Sequence, residues 1–97
     1  MIYELRTYYA APGKVEALHN RFRNLTLRIF QRYNMEVVGF WTPQKRTDNS
    51  GDLIYLLRFE SEEALRQAWA RFRADPEWVQ GKEESRREGA LVLEVKS

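Results

Sequence analysis

The sequence has no cysteine in its 97 residues, and only three prolines and five glycines. The absence of cysteine excludes a disulfide framework, a thiolate zinc site and a thiol nucleophile. Long hydrophobic runs are also missing, because the longest one covers only residues 53–57. The N-terminus lacks the basic and apolar regions of a secretory signal. These absences predict a protein that does not enter membranes and that has a cytoplasmic location.

A large charge of one sign is missing too. Sixteen Lys and Arg residues face 14 Asp and Glu residues, which leaves a formal charge of +2. Acids interrupt most of the basic segments, whereas a nucleic-acid surface needs a patch of one sign. The chain has no glycine-rich phosphate loop and no Ser-His-Asp set, and its single histidine, His19, has only Glu16 beside it on the helix. That pair is incomplete for zinc, so we expect no metal and no nucleic-acid partner.

The hydrophobic pattern predicts the elements of one domain over residues 1–97. Strands are predicted at 2–9, 35–42, 53–60 and 90–96, and a dense turn signal lies at 44–52. Helices are predicted at 14–33, from Ser61 onward, and from Asp75-Pro76 to Gly89. This order, β-α-β-β-α-α-β, is typical of an α+β fold of the ferredoxin-like βαββαβ type with a four-stranded antiparallel sheet.

Alternation along the strands assigns residues to the two faces of that sheet. Tyr3 and Leu5 are placed under the helices with the apolar side of the third strand. The other face then mixes charges with aliphatic side chains, which is typical of an interface between two copies of a chain. An open, hydrated sheet face is the alternative. The predicted dimer interface consists of Glu4, Arg6, Ile54, Leu56, Arg58 and Glu60.

Aromatic side chains are abundant and suit either a core or a ligand cleft between helices and sheet. His19 is a candidate general base, or a ligand to a metal or haem, but also suits a structural role on its helix. Tyr33 and Tyr55 are the other two weak catalytic candidates. The predicted cleft consists of His19, Phe22, Tyr33, Trp41, Tyr55 and Trp69.

Four segments resemble the NIPSNAP family, and they occur in the matching order. They are the opening MIYELRTY, the following Pro12-Gly13-Lys14, then Gly39-Phe40-Trp41-Thr42, and finally Asp75-Pro76-Glu77-Trp78. The resemblance implies a place in the dimeric α/β-barrel superfamily, in which two ferredoxin-like sheets pack face to face. It therefore implies a homodimer.

The resemblance implies little about chemistry, because the family has no agreed reaction and fold alone does not transfer activity. Superfamily relatives include cofactor-free monooxygenases, muconolactone isomerases, EthD-like proteins and haem enzymes. The haem degraders carry a ligand histidine on a later helix, where this chain has none, so we expect no cofactor.

The function predicted is the binding of a small apolar or aromatic molecule in the cleft. Whether the protein is an enzyme stays open. A cofactor-independent monooxygenase- or isomerase-like enzyme is one alternative, and a non-catalytic protein-interaction module is another. An RNA-binding module of the same strand order is excluded on the expectation that charged residues such as Glu4 and Arg6 occupy the open face.

Overall fold

A computed structural model describes residues 1–44 and 51–97. Most of the predicted turn at 44–52 lies outside the described residues. The strands are β1 (Ile2–Ala10), β2 (Glu36–Trp41), β3 (Leu53–Phe59) and β4 (Val92–Lys96). The first helix, α1, consists of three consecutive segments, Val15–Arg21, Phe22–Thr26 and Leu27–Arg32, and it is followed by α2 (Glu62–Ala74) and α3 (Pro76–Ser85).

The four strands form one antiparallel sheet in the order β2-β3-β1-β4. The first and third strands are therefore central, and each β-α-β unit places its two strands apart, as the ferredoxin-like arrangement requires. The predicted fold class and the predicted order of elements are confirmed. In the described part of the chain, no helix has the length and apolar character needed to cross a membrane.

The α1 helix packs one side against the sheet through apolar residues that recur every three or four positions, among them Leu18, Phe22 and Ile29. The middle segment, Phe22–Thr26, is a π-helical turn that the apolar spacing does not predict. Such a turn adds a residue to the helical repeat and rotates the side chains that follow it. Asn34 follows the helix with a φ of 57°, the left-handed conformation in which many helices end.

Side-chain caps fix where α2 and α3 begin. The Ser61 hydroxyl accepts the backbone N–H of Ala64, and the Asp75 carboxylate accepts that of Trp78. Pro76 occupies the first turn of α3, where its missing N–H costs nothing. Because α2 ends at the residue that caps α3, the two helices are joined without a linker.

The two faces of the sheet differ from the predicted assignment, and the strand register shows why. Residues directly opposite each other in an antiparallel pair share a face. Glu4 lies opposite Leu57 and Arg6 opposite Tyr55, both of which are buried under the helices. The predicted placement of Glu4 and Arg6 with Ile54, Leu56 and Arg58 is therefore wrong. The Glu4 carboxylate and the Arg6 guanidinium both point to the helix side, where they form hydrogen bonds with polar side chains.

The same register places Tyr3 and Leu5 on the open face, opposite Arg58 and Leu56, with 55% and 51% of their surfaces exposed. Their predicted position under the helices is wrong. On β4, a bulge shifts the register between Tyr9 and Ala10, so that Val92 faces the helices although alternation predicts the reverse. The open face of this single chain is thus more apolar than the sequence pattern indicates.

Candidate functional site

A cavity of about 350 Å³ lies between the helix side of the sheet and the three helices. This volume is within the range of small-molecule pockets. Its walls come from every helix and from β1, β3 and β4. They are formed by Arg6, Tyr8, Leu18, Arg21, Phe22, Thr26, Leu53, Tyr55, Trp69, Phe72, Arg73, Trp78, Lys82, Arg86, Ala90, Leu91, Val92 and Val95.

Aromatic rings form much of this wall, and they are packed against one another. The rings of Phe22 and Tyr55 have centroids 5.0 Å apart, and Phe72 lies 4.5 Å from Trp78 and 5.1 Å from Trp69. Such contacts hold large side chains in fixed orientations and keep the cavity surface apolar. Most of the cavity wall comes from helices and strands, and only Arg86, Ala90 and Leu91 come from the segment between α3 and β4.

A polar cluster interrupts the apolar wall at the centre of the sheet. The phenol oxygens of Tyr8 and Tyr55 are 2.8 Å apart. Arg6 donates from Nη2 to the Tyr8 oxygen at 3.1 Å and from Nε to the Tyr55 oxygen at 3.1 Å. Its Nη1 donates to Glu4 Oε2 at 3.3 Å, and its guanidinium lies 4.4 Å from the ring centre of Trp69. We call Glu4, Arg6, Tyr8, Tyr55 and Trp69 the Arg6 cluster.

The Arg6 cluster keeps the Tyr55 phenol neutral and the Arg6 guanidinium charged. Burial raises the pKa of Tyr55 above its ordinary value, and the neighbouring Tyr8 raises it further, while Arg6 opposes both. Burial alone would lower the pKa of Arg6, but Tyr8, Tyr55 and Glu4 outweigh that effect and raise it. Near neutral pH, Tyr55 is a hydrogen-bond donor rather than a base.

Arg21 of α1 supplies a second cation to the cavity wall. Its Nη1 donates to the Ser85 hydroxyl at 3.3 Å, and its guanidinium lies 5.5 Å from the ring centre of Trp78. Its Nε is buried and has no hydrogen-bond partner among the described residues. Burial lowers the pKa of Arg21, and nearby Arg86 lowers it further through like-charge repulsion, against the opposing effect of Tyr8 and Tyr55.

The structure brings three of the six predicted cleft residues together, namely Phe22, Tyr55 and Trp69. His19 does not line the cavity. Its Nε2 is 2.7 Å from the backbone carbonyl oxygen of Asp52, whose carboxylate accepts the backbone N–H of Ala10. This arrangement connects α1 to the start of β3 and gives His19 a structural contact.

Tyr33 and Trp41 also lie away from the cavity. The Tyr33 hydroxyl donates to Asp75 Oδ2 at 2.6 Å, at the junction of α2 and α3. Trp41 lies opposite Ile54 on the open face, and its ring packs beside Gly39. Neither residue can contact a molecule in the cavity.

The cavity residues that the sequence interpretation missed include every Arg and Lys of the lining. Arg6 and Tyr8 carried a signal, because they alternate with Glu4 on one face of β1, but that face was assigned to the outside. No sequence signal places Arg21, Lys82 and Arg86 at the cavity. Arg21 is separated from the other two by some 60 positions, and they meet only through the packing of α1 against α3. In the described part of the chain, no group of three His, Asp or Glu side chains could hold a metal ion.

The open face also differs from the one expected when an RNA-binding module was excluded. Glu4 and Arg6 are absent from the open face, which carries Tyr3 on β1 but the aliphatic Ile54 and Leu56 on β3. RNA-binding sheets of this order stack bases on aromatic residues of both central strands. The absence of a nucleic-acid partner stays a prediction, now resting on the aliphatic character of β3.

Comparisons with known proteins agree with the fold. The NIPSNAP family model matches residues 3–97. An uncharacterized NIPSNAP domain protein from Burkholderia xenovorans has 21% identity, with 99% of this chain and 88% of that chain covered at a TM-score of 0.79. A NIPSNAP family protein with unknown function from Agrobacterium tumefaciens has 22% identity, with 97% and 80% covered at a TM-score of 0.77.

A more distant solved structure is an EthD family protein from Bacillus halodurans. It has 14% identity, and 100% of this chain and 98% of that chain are covered at a TM-score of 0.59. These likenesses of low identity concern the fold. No curated protein matches the sequence.

Proposed function

This chain belongs to the NIPSNAP family, and from that premise we propose that it binds a small, largely apolar or aromatic molecule in the cavity between helices and sheet. The observation that carries the proposal is the aromatic wall of a cavity of about 350 Å³. A domain of this size has little apolar surface to spare, and a ligand in the cavity would bury the aromatic wall.

The Arg6 cluster supports the proposal because it supplies a fixed polar anchor inside the apolar wall. Ligand pockets typically combine a mainly apolar lining with a few oriented polar groups. The hydroxyls of Tyr8 and Tyr55 are held by each other and by Arg6. A ligand oxygen could therefore exchange hydrogen bonds with groups that need no rearrangement.

The three tryptophans make the proposal testable by position. Trp69 and Trp78 line the cavity, whereas Trp41 lies on the opposite face of the sheet. Titration with the neutral aromatic probe N-phenyl-1-naphthylamine should shift the indole N–H resonances of Trp69 and Trp78 in a saturable manner and leave that of Trp41 in place. A shift confined to Trp41, or no shift, would contradict the proposal.

Replacing each of two alanines by phenylalanine provides the control for that titration. Ala90 is exposed and lies on the cavity wall, so Ala90→Phe should weaken probe binding by obstructing the cavity. Ala70 is exposed on α2 away from the cavity, so Ala70→Phe should leave binding unchanged. Equal effects of the two replacements would place the probe elsewhere.

We also propose that the chain forms a homodimer through the open face of its sheet. That face exposes Tyr3, Leu5 and Trp41, with the aliphatic Ile54 and Leu56 between them. A contiguous apolar sheet surface of this kind is uncommon on a monomer and suits a second, equally apolar sheet. The Arg58–Glu36 ion pair at its margin supplies the polar rim typical of interfaces.

A proton-transferring enzyme, of the isomerase or cofactor-independent monooxygenase kind, is a second candidate that the paired phenols favour. Two hydroxyls 2.8 Å apart beside a guanidinium can stabilise negative charge that develops on a substrate carbonyl oxygen. The raised pKa of Tyr55 suits a donor of this type. Once a substrate is known, Tyr8→Phe should lower kcat by at least tenfold, and unchanged turnover would leave only the binding role.

A further inference from the structure

The charge of the cavity wall differs from that of the protein as a whole. Its lining includes the cationic side chains of Arg6, Arg21, Arg73, Lys82 and Arg86 and no carboxylate. The whole chain, by contrast, carries a formal charge of only +2. A concave, partly apolar surface with cations on several sides concentrates positive potential inside the cavity.

Among residues 1–44 and 51–97, most of these cations have no acidic partner. Arg6 is paired with Glu4. In the part of the chain that the structure describes, no ion pair involves Arg21, Lys82 or Arg86. This contrasts with the outer surface, where Arg28, Arg32, Arg58 and Arg66 each meet a glutamate.

Arg21 is the member of this set that is hardest to explain without a ligand. Its Nε–H is buried and has no partner among the described residues, and Arg86 is a like charge nearby. A buried guanidinium donor that lacks an acceptor is unfavourable, and an adjacent cation adds to the cost. An oxyanion in the cavity would meet the Arg21 guanidinium, which lines the cavity, and would offset the repulsion between Arg21 and Arg86.

We infer that the ligand is an organic oxyanion, in which an apolar or aromatic body packs against Phe22, Tyr55 and Trp69 while a carboxylate-like group binds Arg21. Lys82 of α3 and Arg86, which directly follows α3, add positive charge to the same cavity. A planar fork of donors suits carboxylate, sulfonate and phosphate groups alike. This inference rests on the proposed ligand-binding function and adds the charge of the ligand to it.

A matched pair of probes separates the inference from the proposed function. 8-Anilinonaphthalene-1-sulfonate and N-phenyl-1-naphthylamine share one aromatic skeleton and differ by the sulfonate. The sulfonate should bind about tenfold more tightly than the neutral probe, with an affinity that decreases as salt is added. Both probes should shift the indole resonances of Trp69 and Trp78.

The variant Arg21→Met tests the residue itself. It should weaken binding of the sulfonate by about fivefold or more and change that of the neutral probe by less than about twofold, because only the charged hydrogen bond is lost. Arg23→Met is the control, since Arg23 is an exposed arginine on the same helix that contacts Asn20. It should leave both affinities unchanged.

The outcomes distinguish the two claims. Equal affinity of the two probes, or equal weakening of both by Arg21→Met, overturns the oxyanion inference and leaves the cavity as a site for neutral molecules. A failure of both probes to shift Trp69 and Trp78 overturns the proposed function together with the inference. If Arg21→Met does not fold, Lys82→Met and Arg86→Met on the α3 side decide the question in the same way.

Discussion

Trp69 donates its indole N–H to Oε1 of Glu4 at a distance of 2.7 Å, joining the middle of α2 to the centre of the sheet. The same carboxylate accepts a hydrogen bond from Arg6, whose guanidinium lies over the Trp69 ring. A charged residue can thus lie under the helices because each of its polar atoms has a partner. This relationship explains why a strand with charges on one face turns that face inward.

The first prediction concerns Glu4. Glu4→Ala leaves the Trp69 indole without its acceptor and the Arg6 guanidinium without its carboxylate partner in a half-buried site, so it should lower the free energy of unfolding by about 2 kcal/mol or more. Urea denaturation followed by far-ultraviolet circular dichroism provides the measurement. Glu63→Ala removes an exposed glutamate that pairs with Arg66 on α2 and should have little effect. Similar losses in both variants would mean that the Arg6 cluster does not stabilise the fold.

The second prediction concerns pH. The hydrogen bond from Tyr33 lowers the pKa of Asp75 to about 2, against its ordinary 3.8; burial opposes this effect, while Arg32 and the Trp78 backbone N–H support it. A carboxylate with a depressed pKa stabilises the folded state above its unfolded pKa and loses that contribution as the pH falls through the folded value. The stability difference between the native chain and Asp75→Asn should therefore be constant above about pH 4 and decrease between about pH 4 and 2.

Asn is chosen at position 75 because it keeps the helix cap and removes only the charge. Thermal melts at half-unit pH intervals provide the measurement. Tyr33→Phe removes the principal cause of the depressed pKa, so the total loss of stability should become smaller and should be complete at a higher pH. A difference between native chain and Asp75→Asn that does not vary with pH would show that the carboxylate charge contributes nothing.

The third prediction compares two glycines with the same backbone conformation. Gly13 and Gly51 both have a φ of 75°. A Cβ at Gly51 would lie 2.5 Å from Cγ2 of Thr7, whereas one at Gly13 would meet nothing within 4 Å. Gly13→Ala should cost about 1 kcal/mol from the backbone alone, and Gly51→Ala should cost at least about 1 kcal/mol more. Equal losses in chemical denaturation would mean that β1 shifts to admit the methyl group.

The fourth prediction concerns the proposed homodimer. Leu5 lies opposite Leu56 at the centre of the open face, so Leu5→Glu would place two unpaired carboxylates in the interface. It should raise the dimer dissociation constant by about tenfold or more and leave the folded monomer intact. Sedimentation equilibrium measures this change, with Val79→Glu on an exposed part of α3 as the control. A native chain that is monomeric at micromolar concentration would contradict the proposal.

Local signals were sufficient for the elements and their order. Ser61 and Asp75 mark where helices begin, and Asn34 marks where one ends, because capping depends only on a few neighbouring residues. The family resemblance was equally accessible, since it rests on short segments in a fixed order. Three of the six residues predicted for the cleft line the cavity. They are Phe22, Tyr55 and Trp69, which belong to the apolar stripes that periodicity reveals.

The sequence by itself determined the ferredoxin-like fold, because four apolar strands and their intervening helices have few other ways to bury their faces. Tertiary structure alone decided which face of β1 turns inward, since both faces of that strand carry large side chains and the choice depends on partners such as Trp69 and Tyr55. It also decided the chemistry of the cavity. Arg21 and Arg86 meet there only because α3 packs closely on α1, where a Cβ at Gly81 would come within 2.5 Å of Leu25.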